Sequence, residues 1–387
     1  MRVHRPQPII GGMKWILLLA LLAGVAASAG PLRFFLGTYT DKGLSHGIYT
    51  GTLDADTGVL SPLELAAAAP SPNYLALSPD GRFLYANTAT NGGSVTAFRV
   101  EAKGRLTRLN DLPSGNGGCH VSVDATGRNV FVANYSGGSV ASFRTREDGS
   151  LEKRVAFLPQ QGAGPNPQRQ TKPYLHSAYA GPGNTRVYTC DLGTDSIWTF
   201  DLNAATGDLT PAVPPAAKVS PGSGPRHLAW HPNGRFAYVN GEMGLNVTAF
   251  RVDEKSGQLS AMLPDLPTLT PGTDTEGFTT AEIFCHPSGR WLYVSNRDVS
   301  GRGRDSLTVF AIRADGRLTW QQEFLVPVKV PRGFGLDPGG RWLICAGQQD
   351  NQITILKIDQ RNGNLTAIGQ TATVGAPVCV LFSNNGF

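Results

Sequence analysis

Several familiar signatures are missing from this 387-residue sequence: it holds no phosphate-binding loop, dinucleotide fingerprint, His-x-x-x-His helix or nucleophile elbow. Nucleotide-dependent chemistry, a helix-borne zinc site and serine-hydrolase catalysis therefore have no motif to stand on. Cysteine is scarce. Cys119, Cys190, Cys285, Cys345 and Cys379 are widely spaced, odd in number and mostly set in apolar strand-like runs, so they read as buried thiols rather than a disulfide framework or a zinc site. No metal and no cofactor is expected.

Long apolar runs are also lacking after the first 29 residues. There Arg2, Arg5 and Lys14 precede WILLLALLAGVAA, and Ala27-Ser28-Ala29 offers a small-residue cleavage site. Residues 1–29 read as a signal peptide that sends the protein to the periplasm or outside the cell. The run is shorter than the roughly 20 residues that span a bilayer, so no membrane-spanning segment is expected in the mature chain; an uncleaved leader would serve as an anchor. Excess charge is missing as well. The formal charge of +5 falls to +2 once the three cations of the leader are removed, and a nucleic-acid partner is not expected.

What the sequence does have is repetition. Strand–turn–strand units recur at NYLALSPDGRFLYAN, HVSVDATGRNVFVAN, HSAYAGPGNTRVYTCD, HLAWHPNGRFAYVN, EIFCHPSGRWLYVSN and GFGLDPGGRWLICAG. Each is followed by a β-patterned segment such as SVTAFRV or QITILKI, then a polar turn and a short fourth strand. The arginine opening the second strand (Arg82, Arg128, Arg186, Arg235, Arg290, Arg341) returns every 46 to 58 residues, the length of one four-stranded propeller blade. A seventh blade can be built from FLGTYT and GIYTGTLD, closed by VCVLF at residues 378–382. The expectation is an all-β, seven-bladed β-propeller over residues 30–387, a single domain whose N- and C-terminal strands close one blade and leave no open edge.

Rotational equivalence places polar residues on one channel mouth. Eight positions before the arginine stand Tyr74, His120, His227, Glu282 and Gly333, with His176 joining them if its turn carries a two-residue insertion. Seven positions after it stand Tyr135, Gly193, Glu242, Arg297 and Gln348, so Glu242 and Arg297 face the same opening from neighbouring blades. Arg226 and Arg332 are equivalent to each other just ahead of the first strand, and entering loops bring Arg169, Lys172, Glu276, Arg302 and Arg304. Arginine in excess over carboxylate suits a small anionic ligand, because planar guanidinium groups grip carboxylate or phosphate in pairs. His231 and His286 occupy turns at the opposite end and are excluded from the site. Against the functional reading, a histidine at a strand end often only bonds a loop, and Glu242 with Arg297 could be a structural salt bridge between blades. The sequons at Asn134, Asn246 and Asn364 lie in or near strands and carry little weight.

The motifs FLGTYT, RQTKPYLHSA, GPRHLAWHPNGRFAYVNGE, AEIFCHPSGRWLYVSNR and PRGFGLDPGGRWLICAGQ, spread over residues 33 to 384, resemble the seven-bladed propeller lactonases, a family of bacterial 6-phosphogluconolactonases and fungal carboxy-cis,cis-muconate cyclases. The resemblance implies hydrolysis of a sugar-acid lactone, with 6-phosphogluconolactone as default substrate. It also implies catalytic roles for His176, Arg226, Glu242 and Arg297, with His120, Lys172, His227, Glu282 and Arg332 expected to bind substrate. Where family members carry a second histidine, this chain has Tyr174. A muconate-type lactonizing cycloisomerase is the alternative chemistry, and a non-catalytic exported propeller that binds a ligand is the alternative of another class. The oligomeric state stays open.

Overall fold

The computed structural model describes residues 1–2, 30–41, 43–88 and 92–383; all but the first two residues of the expected leader lie outside the described residues. Seven antiparallel sheets follow one another around a ring. In six of them the chain runs outward from the axis, beginning at Pro72–Leu77, Gly118–Val123, Leu175–Ala180, Pro225–Trp230, Phe278–Cys285 and Pro331–Leu336. The first sheet is composite. Its inner strand is the C-terminal Pro377–Phe382, paired antiparallel with the N-terminal Leu32–Thr38, so the two chain ends meet in one blade as expected. Apart from a 3-10 position at Gly92 and two three-residue turns of 3-10 helix, Ala102–Gly104 and Pro182–Asn184, the described residues hold no helix.

Burial follows from this geometry. The second strands FLYANT, NVFVAN, FAYVNG and WLICAG are buried along their whole length, because both faces of each blade are covered by neighbours. The outermost strands, such as Leu106–Pro113, are largely exposed on one face. The hydrophobic core is accordingly divided into slabs, one between each pair of adjacent blades; Phe34 and Leu36 packing on Trp342 and Ile344, for example, unite the first and last blades.

A hydrogen bond also crosses every blade junction. A side chain of one blade donates to a carbonyl in the turn between the third and fourth strands of the next: Arg33 to Lys103, Tyr85 to Gly149, Ser142 to Gly207, Tyr188 to Gly257, Tyr238 to Gly316, Tyr293 to Gly363 and Trp342 to Ala55. Gly316 has φ +84° and lies against the Phe236 ring, so a side chain there would meet both backbone strain and a clash. The last of these bonds joins residues 287 apart in sequence, which locks the ring where it closes.

Candidate active site

Each inner strand carries a β-bulge at the same end. The register slips between Pro72 and Tyr74, Gly118 and His120, Leu175 and Ser177, Pro225 and Leu228, Thr280 and Ile283, and Pro331 and Gly333. A bulge frees one residue from the alternation of the strand and re-aims its side chain. The residues freed include Asn73, Cys119, His176, Arg226 and Arg332. Four of these, Asn73, Cys119, His176 and Arg332, line a cavity of about 320 Å³ at the channel mouth together with Tyr39, Tyr135, Arg169 and Glu242.

This register corrects the expected alignment of His176. Leu202 N–H donates to Thr185 O as Val100 N–H donates to Arg82 O and Val252 N–H to Arg235 O, so Thr185, not Arg186, is the counterpart of the recurring arginine. The turn Gly181–Thr185 has the same length as its counterparts, with Gly181 N–H donating to Arg186 O as Ser78 N–H donates to Phe83 O, so no residue is inserted and the arginine merely stands one place later. His176 therefore corresponds to Arg226 and Arg332, one step above the level of His120, His227 and Glu282, and that step is what brings it into the cavity.

Glu242 is the hub of the charges. Its Oε1 accepts from Arg169 Nη2 at 2.8 Å, and its Oε2 accepts from Arg226 Nε at 3.1 Å with Arg297 Nη2 at 3.4 Å. Burial alone would raise its carboxyl, but Arg297, Arg226 and Arg169 outweigh burial and bring it down to about 2. Arg226 spends Nη1 on Ala281 O at 2.6 Å and on His227 Nε2 at 3.2 Å, while Arg297 also donates to Thr280 O at 2.9 Å. Burial pulls Arg297 down to about 9 although Glu242 opposes the shift. Arg332 differs: among the described residues it makes no ion pair, and its guanidinium lies 5.7 Å from the centre of the Tyr39 ring.

His176 is 5% exposed and its Nδ1 has no hydrogen-bond partner among the described residues. Burial, then the nearby Arg226 and His227, hold its imidazole well below the usual range and therefore neutral. Its ring stands edge-on to His227 at 5.1 Å and to Tyr135 at 5.5 Å. The Cys119 thiol donates to His176 O at 3.2 Å, and burial pushes it up to about 12. It is no thiolate nucleophile.

Arg226 and Arg297 do not line the cavity and are joined to it through Glu242; the remaining predicted residues fall elsewhere. His120 is 1% exposed and lies in the channel between Tyr74 at 4.2 Å and Tyr179 at 4.5 Å. His227 and Glu282 are bonded to each other; none of the three lines the cavity. Lys172 is exposed, donates to Ser136 O at 2.7 Å and lies over Tyr174, outside the lining. The two excluded histidines bridge turns between blades, His231 to Gly289 O and His286 to Gly340 O. Asn73 and Cys119 carried no signal as site residues in the sequence; Tyr39 lay in the motif FLGTYT, and Arg169 and Tyr135 sat at recognisable rim positions, without being assigned a role.

The sequence matches the profile described as Lactonase, 7-bladed beta-propeller, over residues 33–382. The chain belongs to this seven-bladed propeller lactonase family. Among its relatives, a 6-phosphogluconolactonase of Bacillus subtilis is 34% identical over 352 residues, covering 90% of this chain and 97% of that protein. A 6-phosphogluconolactonase of Formosa agariphila is 30% identical over 348 residues, covering 88% of this chain and 96% of the relative. The solved structure of a periplasmic gluconolactonase from Pseudomonas aeruginosa superimposes with a TM-score of 0.85 at 29% identity, covering 92% of this chain and 99% of the other. For a propeller lactonase the cavity described above is the natural place to look for chemistry.

Proposed function

We propose that this lactonase-family chain hydrolyses an anionic sugar-acid lactone in the channel-mouth cavity, with 6-phosphogluconolactone as the default substrate. The observation that carries the reading is the arrangement at one mouth of four guanidinium groups, one deeply ionised carboxylate and one neutral, unpartnered imidazole. The names of the relatives agree with it.

His176 is the general base. Neutral imidazole can take a proton from water as the water oxygen attacks the lactone carbonyl, then return it to the ring oxygen when the C–O bond breaks. Glu242 is poorly suited to that task, since both of its oxygens are held by arginines and its carboxylate is a very weak base. Its role is to hold Arg226 and Arg297 in place, and those guanidinium groups stabilise the oxyanion. Arg332, which has no carboxylate partner among the described residues, receives the anionic substituent. Export is the accompanying expectation for this protein: no described helix is long and apolar enough to cross a membrane, and one structural relative is named as periplasmic.

A panel of phosphorylated and unphosphorylated aldonolactones, assayed with the purified protein, tests the reading. Hydrolysis with preference for the phosphorylated member is expected. Absence of hydrolysis of every lactone in the panel would defeat it. Product formed in oxygen-18 water carries the label if the enzyme hydrolyses and does not if it isomerises.

A further inference from the structure

His227 and Glu282 are 2% and 3% exposed, lie beneath the cavity, and meet across two blades with 2.6 Å between Nδ1 and Oε1. The donors around them fix where the proton sits. A guanidinium can only donate, and Arg226 Nη1 stands 3.2 Å from His227 Nε2, so Nε2 presents its lone pair. The imidazole proton is then on Nδ1, and Glu282 Oε1 accepts it. The same Oε1 accepts the backbone N–H of Ile283 at 3.1 Å, so both groups facing that oxygen are donors.

The other carboxyl oxygen is the one free to change. Oε2 faces the Tyr74 hydroxyl at 3.4 Å. Burial, offset in part by Arg226, pushes the Glu282 carboxyl up to about 8. A proton taken up there belongs on Oε2, where the Tyr74 oxygen can accept its hydrogen bond. Oε1 therefore stays an acceptor in both states of Glu282.

We propose that Glu282 and His227 are positioning residues for the reaction rather than contacts to substrate: Glu282 Oε1 holds His227 as its Nδ1–H tautomer, and the Nε2 lone pair anchors Arg226 against Glu242. The proposal rests on the hydrolytic reading for its consequence in turnover. With the other tautomer an N–H of His227 would face an N–H of Arg226, and the guanidinium would swing away from the 3.1 Å bond that joins it to Glu242.

The test pairs two variants with one spectrum. Glu282→Gln keeps a carbonyl oxygen to accept from Nδ1–H and an amide to donate to Tyr74; it is expected to retain kcat/KM within about threefold of wild type. Glu282→Leu removes the acceptor and is expected to lose on the order of tenfold to hundredfold, mainly in kcat. Nitrogen-15 spectra of histidine-labelled wild-type protein, which has seven histidines, should show residue 227 protonated at Nδ1 and bare at Nε2, with His227→Asn assigning the signal. Full activity in Glu282→Leu, an equal loss in Glu282→Gln, or an Nε2–H tautomer in the wild type would overturn the proposal. The wild-type spectrum needs no turnover, and His227→Asn serves only to assign the signal. A wild type that hydrolyses no lactone would thus defeat the functional reading separately from the tautomer.

Discussion

Replacing Glu242 with glutamine removes one negative charge from the centre of three guanidinium groups while keeping the shape of the side chain. Glu242 is 7% exposed, and its carboxyl is brought from 4.5 to about 2 against the pull of burial. At 1.36 kcal/mol per pKa unit, the surroundings favour the charged form by roughly 3 kcal/mol. That agrees with the roughly 3–5 kcal/mol lost when one partner of a buried ion pair is removed. For a domain the size of residues 33–382, a loss of this size lowers Tm by roughly 4–6 °C. The functional cost is larger. Arg297 is held down to about 9 even with Glu242 beside it; without that carboxylate it loses its main support as a cation, and Arg226 loses the anchor on its Nε. Loss of oriented donors to an oxyanion costs on the order of a hundredfold in kcat/KM. Thermal denaturation and steady-state hydrolysis of the preferred lactone read both effects. A Glu242→Gln protein with wild-type Tm and wild-type kcat/KM would refute the reasoning.

Other outcomes follow from the same geometry. His176→Gln should lower kcat by on the order of a hundredfold or more with little change in KM, since it removes the base and leaves the guanidinium groups in place; an unchanged kcat would assign the base elsewhere. Arg332→Ala should raise KM for a phosphorylated lactone by at least tenfold and leave an unphosphorylated one nearly unaffected, which parallel kinetics with the two substrates would check. Because the folded-state pKa of Glu242 is depressed, its contribution to stability is complete above the ordinary value of 4.5 and is lost as pH falls through about 2; melts recorded from pH 5 to pH 2 should show a steeper decline for wild type than for Glu242→Gln. Tyr238→Phe deletes the bond to Gly316 O at 3.0 Å and should cost about 1–3 kcal/mol in denaturant unfolding without changing kcat.

The repeat was legible because every blade must solve the same problem: an inner strand, a tight turn and a second strand buried on both faces. Arg82, Arg128, Arg235, Arg290 and Arg341 mark that turn faithfully, and counting from them brought Glu242, Arg297, Arg226 and Arg332 to one mouth. Arg186 misled the count. In blade four the turn has the same length as in the others, but the arginine stands one place later in it, where the other blades carry a residue such as Phe83, and His176 was set at the level of His227 instead of above it. Bulges are the deeper reason for what was missed. Asn73 and Cys119 reach the cavity only because the register slips beside them; strict alternation gives no hint of a slipped residue. Tyr39 is near the mouth through the composite blade, whose two innermost strands come from opposite ends of the chain. His120, His227 and Glu282 were correctly gathered at the channel but not correctly separated from the cavity, since depth along the axis depends on side-chain direction rather than on spacing.

A crystal structure with a hydrolysis-resistant lactam analogue of the phosphorylated lactone bears on the central claim most directly. The account predicts the ring carbonyl within hydrogen-bond reach of Arg226 or Arg297, the His176 imidazole facing the path of the attacking water, and the phosphate on Arg332. An analogue bound at the far end of the channel beside His231 and His286, or seated at the mouth with its carbonyl turned away from all of these groups, would contradict it.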